Sequence, residues 1–147
     1  MTQITEGVYF IKGLDEFIPD SHTYVVGKPS SHDLSLIDPG LMGKGKYKIQ
    51  SIQDMGIELK AIKRIIMTHT HLDHIGCLPE MREQIPWAEL WVHEIEAGPL
   101  EEGDERTVYG MICSGACARC SIISNQVPLH SPWIESLRVA KIWNWVV

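Results

Sequence analysis

A dense cluster of histidine and aspartate, placed directly after a short apolar run, constrains this sequence more than any other feature. The apolar run covers residues 65–67 and is typical of a buried β-strand. Three histidines and one aspartate then occur within six positions, at His69, His71, Asp73 and His74. In a chain of this composition, such an arrangement is expected by chance on the order of 10⁻³ times per chain. The cluster therefore predicts a site that binds a metal ion.

The spacing within the cluster indicates two pairs of ligands. Alternate side chains of an extended segment point to the same side, so His69 and His71 can offer two imidazoles to one cation. Asp73 and His74 are adjacent, so the chain must turn after His71 to bring both toward the metal. Gly76 would relieve that turn before a helix begins. Imidazole and carboxylate ligands suit Zn²⁺, and Fe²⁺ or Mn²⁺ would also be compatible with them.

The rest of the first hundred residues predicts alternating strands and helices, and hence a layered α/β fold. Apolar, β-branched runs predict the strands, of which the first three form a meander. An apolar period of three, with lysines on the other faces, predicts a helix that Gly56 stops. Pro79 suits the first turn of a second helix, which Pro86 ends. The expected elements are strands at 4–11, 23–26 and 34–37, a helix at 44–55, a strand at 65–67, a helix at 78–85 and a strand at 89–92.

The cluster resembles the His-x-His-x-Asp-His motif of the metallo-beta-lactamase-fold hydrolases. Asp38-Pro39-Gly40, which follows an apolar strand, is similar to the Asp-x-Gly turn of that family. The expected elements are similar to the first αβ half of the family over about residues 2–100. The resemblance implies an αββα sandwich with a dinuclear metal site at the sheet edges. By this resemblance His69 and His71 would bind the first metal, and Asp73 and His74 the second.

The sequence departs from the family pattern downstream of this motif. The family supplies a third histidine, then an aspartate that bridges the metals, then a last histidine. Here no aspartate follows Asp104, and the later histidines are His93 and His130. His130-Ser131-Pro132 is loosely similar to the stretch that carries the third histidine, so His130 is a candidate ligand, the alternative being a loop histidine. The missing bridge predicts a weak or mononuclear site with impaired turnover.

The resemblance implies a metal-dependent hydrolase that cleaves an ester-like bond of a small-molecule substrate. A zinc ion lowers the pKa of a bound water to about 7 and polarises the bond that is attacked. Asp73 would in addition orient that water or accept its proton, which makes it the candidate catalytic residue. The alternative is a non-catalytic metal-binding or interaction module derived from the same fold, and the missing aspartate is its support. Several chemistries occur on similar scaffolds, so the substrate is not specified.

The composition changes near residue 110. Residues 1–110 are expected to be the first half of one domain, whereas residues 111–147 carry only four charged residues but three of the five tryptophans. These last residues are either the buried end of the same domain or a tail foreign to the fold, arising from truncation or a frame change, and the composition favours the tail. The sandwich is therefore expected to be incomplete, to leave one sheet face uncovered and to self-associate.

A second possible metal site lies in the same region. Cys113, Cys117 and Cys120 have the spacing of the cluster-binding motif of radical S-adenosylmethionine enzymes. That motif is expected near the start of a long barrel, and only 27 residues follow Cys120 here. Chance clustering is therefore favoured over a zinc or iron–sulfur site that these thiols would share with Cys77 or a histidine.

The charge pattern disfavours two classes of partner. Lys+Arg 13 against Asp+Glu 19 gives a net charge of −6 without a basic stripe, which disfavours binding of nucleic acid through a charged surface. No apolar run is long enough to span a bilayer, and the first residues lack the pattern of a secretory signal. We therefore expect a cytoplasmic protein without a membrane partner.

Overall fold

The computed structural model describes residues 1–14, 19–93, 96–97 and 141–143, the last range by its backbone alone. Within these ranges, the strands form one sheet in chain order, antiparallel from β1 to β4 and parallel from β4 to β7. The strands are β1 Thr2–Thr5, β2 Val8–Ile11, β3 Thr23–Val26, β4 Leu34–Ile37, β5 Ile62–Met67, β6 Glu89–His93 and β7 Lys141–Trp143. The helices are α1 Gly45–Asp54, α2 Leu72–Ile75 and α3 Leu78–Gln84, with 3-10 turns at Pro29–Ser31 and Leu59–Ala61.

The meander at the N-terminus begins one strand earlier than predicted. A single strand was expected over residues 4–11, but Gly7 adopts φ +74° and turns the chain between β1 and β2. That left-handed conformation suits glycine, which has no Cβ. The residues therefore form an antiparallel hairpin in which Thr5 pairs with Val8. The predicted antiparallel order of β2, β3 and β4 is confirmed.

One face of the sheet carries the hydrophobic core. A fully buried row crosses it in register, from Val25 through Leu36 and Ile65 to Leu90. Helices α1 and α3, which contact each other, contribute further apolar side chains to the same core cluster. Burial of each large aliphatic side chain stabilises the fold by about 1.5–3 kcal/mol. This core holds the carboxyl ends of β4 and β5 side by side.

Helix α1 differs from the predicted amphipathic pattern at two positions. Ile49 and Ile52 are buried as expected, but Met55 is 40% exposed. Lys48, expected on a solvent face with the other lysines, is completely buried. Its ammonium group lies 3.0 Å from a carboxylate oxygen of Asp20, an ion pair between residues 28 apart that the helical period could not reveal. Gly56 ends the helix region as predicted, with φ +72° and its N–H donated to the carbonyl of Gln53.

The opposite face of the sheet is apolar but only half buried. Tyr24, Ile37, Ile66 and Trp91 form a row across β3 to β6 in register. The expectation that residues 65–67 are buried on both faces of the sheet is wrong for Ile66, because α1 and α3 cover the face that carries Ile65 and Met67. A cavity of about 580 Å³ borders this row. The mixed α/β architecture of the described residues agrees with the expected fold class.

The division at residue 110 stays a prediction. Of residues 111–147 the structure describes β7 alone, which pairs in parallel with β6. Among the helices of the described ranges, none has the length and apolar character needed to cross a bilayer.

Candidate metal centre

The histidine cluster lies at the carboxyl end of β5, beside the end of β4. Because the two strands run parallel, the residues that follow them meet at one edge of the sheet. The N–H of Asp38, directly after β4, donates to the carbonyl of Ile66 at 2.9 Å. The Asp-Pro-Gly turn and the turn that carries the candidate ligands, residues 68–77, are therefore neighbours. We call the latter the metal-binding turn after the role predicted for its histidines.

The predicted turn after His71 is present. His71 is extended (φ −69°, ψ 146°) and directly precedes α2. Its carbonyl accepts a hydrogen bond from the N–H of His74 at 2.9 Å, which closes the first turn of that helix. The short helix α2 was not predicted, whereas the predicted helix, α3, begins after Gly76 at Leu78 as expected. Gly76 has ordinary right-handed helical angles, but a Cβ there would lie 2.7 Å from the backbone nitrogen of Met42. A glycine is needed because two segments approach closely, not because of its backbone angles.

Three imidazoles gather in this turn. The ring of His69 has its centroid 4.6 Å from that of His71 and 3.9 Å from that of His74. The carboxylate of Asp73 lies 3.3 Å from Nε2 of His74. All four side chains are half buried. The residues that the sequence singled out thus lie together, at one edge of the sheet.

In the observed side-chain conformations, the nitrogen and oxygen donors of this cluster do not point toward one common position. Within the ranges that the structure describes, no three side chains of His, Cys, Asp or Glu are arranged to hold a metal ion. Nε2 of His74 faces Asp73, and Nδ1 of His69 lies 3.0 Å from the hydroxyl of Thr68. The donor set has the chemistry that zinc requires, and its side chains would have to rotate to bind one ion. Their role as ligands stays a prediction.

The surroundings shift the pKa values of two of these imidazoles in opposite directions. Burial, together with the neighbouring His74 and His71, lowers the pKa of His69. The Asp38 carboxylate raises the pKa of His74, against the effect of burial. At neutral pH His69 therefore stays in the neutral form, which has a lone pair for a metal, while His74 is more readily protonated.

Asp38 holds the start of the metal-binding turn through hydrogen bonds from Thr68. It adopts φ +51°, and its two carboxylate oxygens accept from the N–H of Thr68 at 2.8 Å and from the Thr68 hydroxyl at 2.7 Å. Oδ2 also lies 3.0 Å from Nδ1 of His74, although this ring nitrogen makes no well-aligned hydrogen bond with the described residues. Burial would raise the pKa of Asp38, but His74 and the Thr68 donors outweigh it and lower that pKa. Asp38 therefore remains an anion that faces one candidate ligand.

A second carboxylate fixes the middle of the turn. Thr70 is buried, and its N–H and hydroxyl both donate to Oε2 of Glu96, at 3.0 and 2.6 Å. No sequence motif pointed to Glu96 or to the supporting role of Asp38. The signal for Asp38 was its position after a strand parallel to β5, whereas Glu96, 26 residues from Thr70, left no local signal.

The remaining candidates have different positions. His93 ends β6 and lines the cavity that Thr68 also lines. Cys77 is buried, with its thiol donated to the Pro39 carbonyl at 2.7 Å, and burial raises its pKa strongly. The candidates that lie outside the described residues are His130, Cys113, Cys117 and Cys120.

The fold is an α/β fold of the metallohydrolase type. The family model of the metallo-beta-lactamase superfamily matches residues 19–111, and the chain belongs to that superfamily. The prediction made from the motif is thereby confirmed at the level of the family.

Solved structures share the fold. A beta-lactamase from Chitinophaga pinensis is 25% identical with a TM-score of 0.58, over 69% of this chain and 35% of that one. BJP-1, a subclass B3 metallo-beta-lactamase of Bradyrhizobium japonicum, is also 25% identical with a TM-score of 0.58, over 73% and 40% of the two chains. Native FEZ-1 from Legionella gormanii, at 20% identity and a TM-score of 0.61, covers 76% of this chain and 39% of its own, and supports the fold alone.

A curated relative is the uncharacterized protein YobT of Bacillus subtilis (strain 168). It is 33% identical over 70 residues, which are 48% of this chain and 29% of YobT. The chain thus spans between 29% and 40% of the length of these relatives.

Proposed function

We propose that this chain is a metal-dependent hydrolase that activates water at a zinc site formed by His69, His71, Asp73 and His74, and cleaves an ester-like bond of a small molecule. The observation that carries the proposal is the gathering of three imidazoles in one turn, with ring centroids 3.9 and 4.6 Å apart. Membership in the metallo-beta-lactamase superfamily supports the same class of chemistry.

Zinc, when bound, would supply a water of lowered pKa and polarise the scissile bond, and iron or manganese would suit the same donors less specifically. The residues of this chain have separate tasks. His69 is kept neutral by its surroundings and is ready to donate a lone pair. Asp73 is half buried beside His74, where it would orient the attacking water or accept its proton. Asp38 fixes the turn and faces His74 from the opposite side.

Turnover by these 147 residues should be impaired. No aspartate follows Asp104, so the aspartate that bridges two metals in the family pattern has no counterpart there. A weak or mononuclear site would hold the attacking water and the substrate less rigidly than a complete one.

The second candidate function is a non-catalytic metal-binding or interaction module. The observation that favours it is that no aspartate follows Asp104 in the sequence, so the family's bridging ligand has no counterpart there. Both candidate functions are compatible with the self-association that the sequence predicts. The half-buried row of Tyr24, Ile37 and Ile66 is an apolar surface that a second copy could cover, and sedimentation at several concentrations measures this.

A turnover assay separates the two functions. The purified chain, loaded with zinc, is incubated with p-nitrophenyl acetate and bis(p-nitrophenyl) phosphate, beside Asp73→Asn and a zinc-free sample. A hydrolase gives a slow, zinc-dependent rate that Asp73→Asn lowers about 100-fold or more. A rate equal to that of free zinc, unchanged by Asp73→Asn, would show that the chain does not catalyse hydrolysis of these bonds.

A further inference from the structure

Lys48 is a completely buried lysine that the proposed chemistry does not use. Its ammonium group donates to Oδ1 of Asp20 at 3.0 Å and to the carbonyl of Ser21 at 2.8 Å. Both side chains of the pair have no exposed area. Such a pair is costly to desolvate, and it persists only where additional hydrogen bonds satisfy both partners.

Asp20 meets that condition by holding two other backbone segments. Its Oδ1 accepts from the N–H of Leu41, and its Oδ2 from the N–H of Leu14, both at 2.8 Å. The ion pair therefore joins α1 to the segment that enters β3 and to the segment that follows β4.

The same two segments hold the backbone of the metal-binding turn. The N–H of Ser21 donates to the carbonyl of Asp73 at 3.1 Å, and the N–H of Gly40 donates to the carbonyl of His74 at 2.7 Å. Ser21 is bound directly by Lys48, and Gly40 precedes the residue that Asp20 binds. The carbonyl groups of Asp73 and His74, the two adjacent candidate ligands, thus accept hydrogen bonds from backbone segments that the buried ion pair holds in place.

The packing around Gly40 shows how tightly this arrangement is built. Gly40 has φ +101°, and a Cβ at this position would overlap the Lys48 ammonium group and lie 2.6 Å from Oδ1 of Asp20. The glycine is required both by its backbone angle and by the ion pair beside it.

We infer that Lys48 and Asp20 are positioning residues of the metal-binding turn, and that their buried ion pair sets where Asp73 and His74 lie. The inference rests on the proposed function only where it concerns metal binding. The effect on the turn itself is independent of any ligand.

The test compares four full-length variants without metal. Lys48→Met and Asp20→Asn each leave one buried partner without its counterpart, and the double variant Lys48→Met/Asp20→Asn leaves no unpaired charge and should fold even if a single variant does not. Ile52→Ala, in the same helix and equally buried, is the matched control for loss of stability. Amide hydrogen exchange is followed at Ser21, Gly40 and Leu41 and across residues 71–77.

The variants of the pair should exchange about tenfold faster at these amides than Ile52→Ala at equal global stability, because their hydrogen bonds open locally. Zinc affinity, measured by competition with a chromophoric chelator, should fall about 10–100-fold in the double variant, and the Co²⁺ absorption spectrum should change shape. Exchange in the double variant that matches Ile52→Ala would overturn the inference. Failure of the unmodified chain to bind zinc would instead refute the proposed function, while the exchange data still decide on the pair.

Discussion

Oδ2 of Asp38 lies 3.0 Å from Nδ1 of His74, which joins the turn after β4 to the turn after β5. The remaining bonds of this carboxylate go to Thr68, at the start of the same turn. A metal-bound histidine commonly has a carboxylate behind its second nitrogen, which fixes the ring and its tautomer. Asp38 has that position toward a residue that the sequence identified as a ligand.

Asp38→Asn should weaken zinc binding and reduce stability in a pH-dependent manner. Asparagine tolerates the positive φ of this position, so the change removes the charge and leaves the backbone. The lowered pKa of Asp38 means that its charge stabilises the folded state above the ordinary pKa of about 3.8 and that this contribution is lost as the pH falls. Urea unfolding at pH 7 should show a loss of about 1–3 kcal/mol, which shrinks below pH 4. An equal loss at both pH values would contradict this account.

Thr70→Val should destabilise the fold by about 1–2 kcal/mol. Valine has nearly the same shape but removes the hydroxyl that donates to Glu96 at 2.6 Å, within a buried site. Denaturation midpoints measure the effect. Ser31→Ala is the control, because its hydroxyl is exposed and its loss should cost no more than about 0.5 kcal/mol. Equal effects of the two substitutions would show that the bond to Glu96 does not stabilise the turn.

Cys77 should resist alkylation in the folded protein. The thiol is buried, donates to Pro39 and has a strongly raised pKa because of burial, so little thiolate forms at pH 8. Iodoacetamide labelling followed by peptide mass spectrometry distinguishes Cys77 from the other cysteines. We expect modification in urea and almost none without it, whereas rapid labelling of the native chain would disprove the assignment.

The order of the elements and the position of the turn could be predicted from the sequence because local patterns encode them. The apolar run before Thr68 and the alternating ligands after it specify a strand and a site at its end. Contacts between distant residues left no such pattern. Lys48 was assigned to solvent from the helical period, since only the folded chain brings Asp20 to it. Ile66 was assigned to a doubly buried strand, since a single strand does not reveal which face the helices cover.

His130→Ala tests whether the last part of the chain belongs to the fold. If residues 111–147 are native to it, His130 supplies a third imidazole, and its loss should weaken zinc binding about as much as His71→Ala. We expect instead no change, because this segment has few charges and no aspartate. Chelator competition on the two variants side by side provides the comparison, and an equal loss in both would reverse the expectation.

The zinc content of the purified chain tests the central claim most directly. The unmodified protein and His69→Ala are dialysed against dilute zinc and analysed by mass spectrometry of the metal, with His32→Asn as the control, since His32 is exposed and its φ of 51° suits asparagine. The account predicts about one tightly held zinc per chain, retained in His32→Asn and mostly lost in His69→Ala. Two tightly held ions that His69→Ala leaves unchanged, or no bound zinc in the unmodified chain, would contradict it.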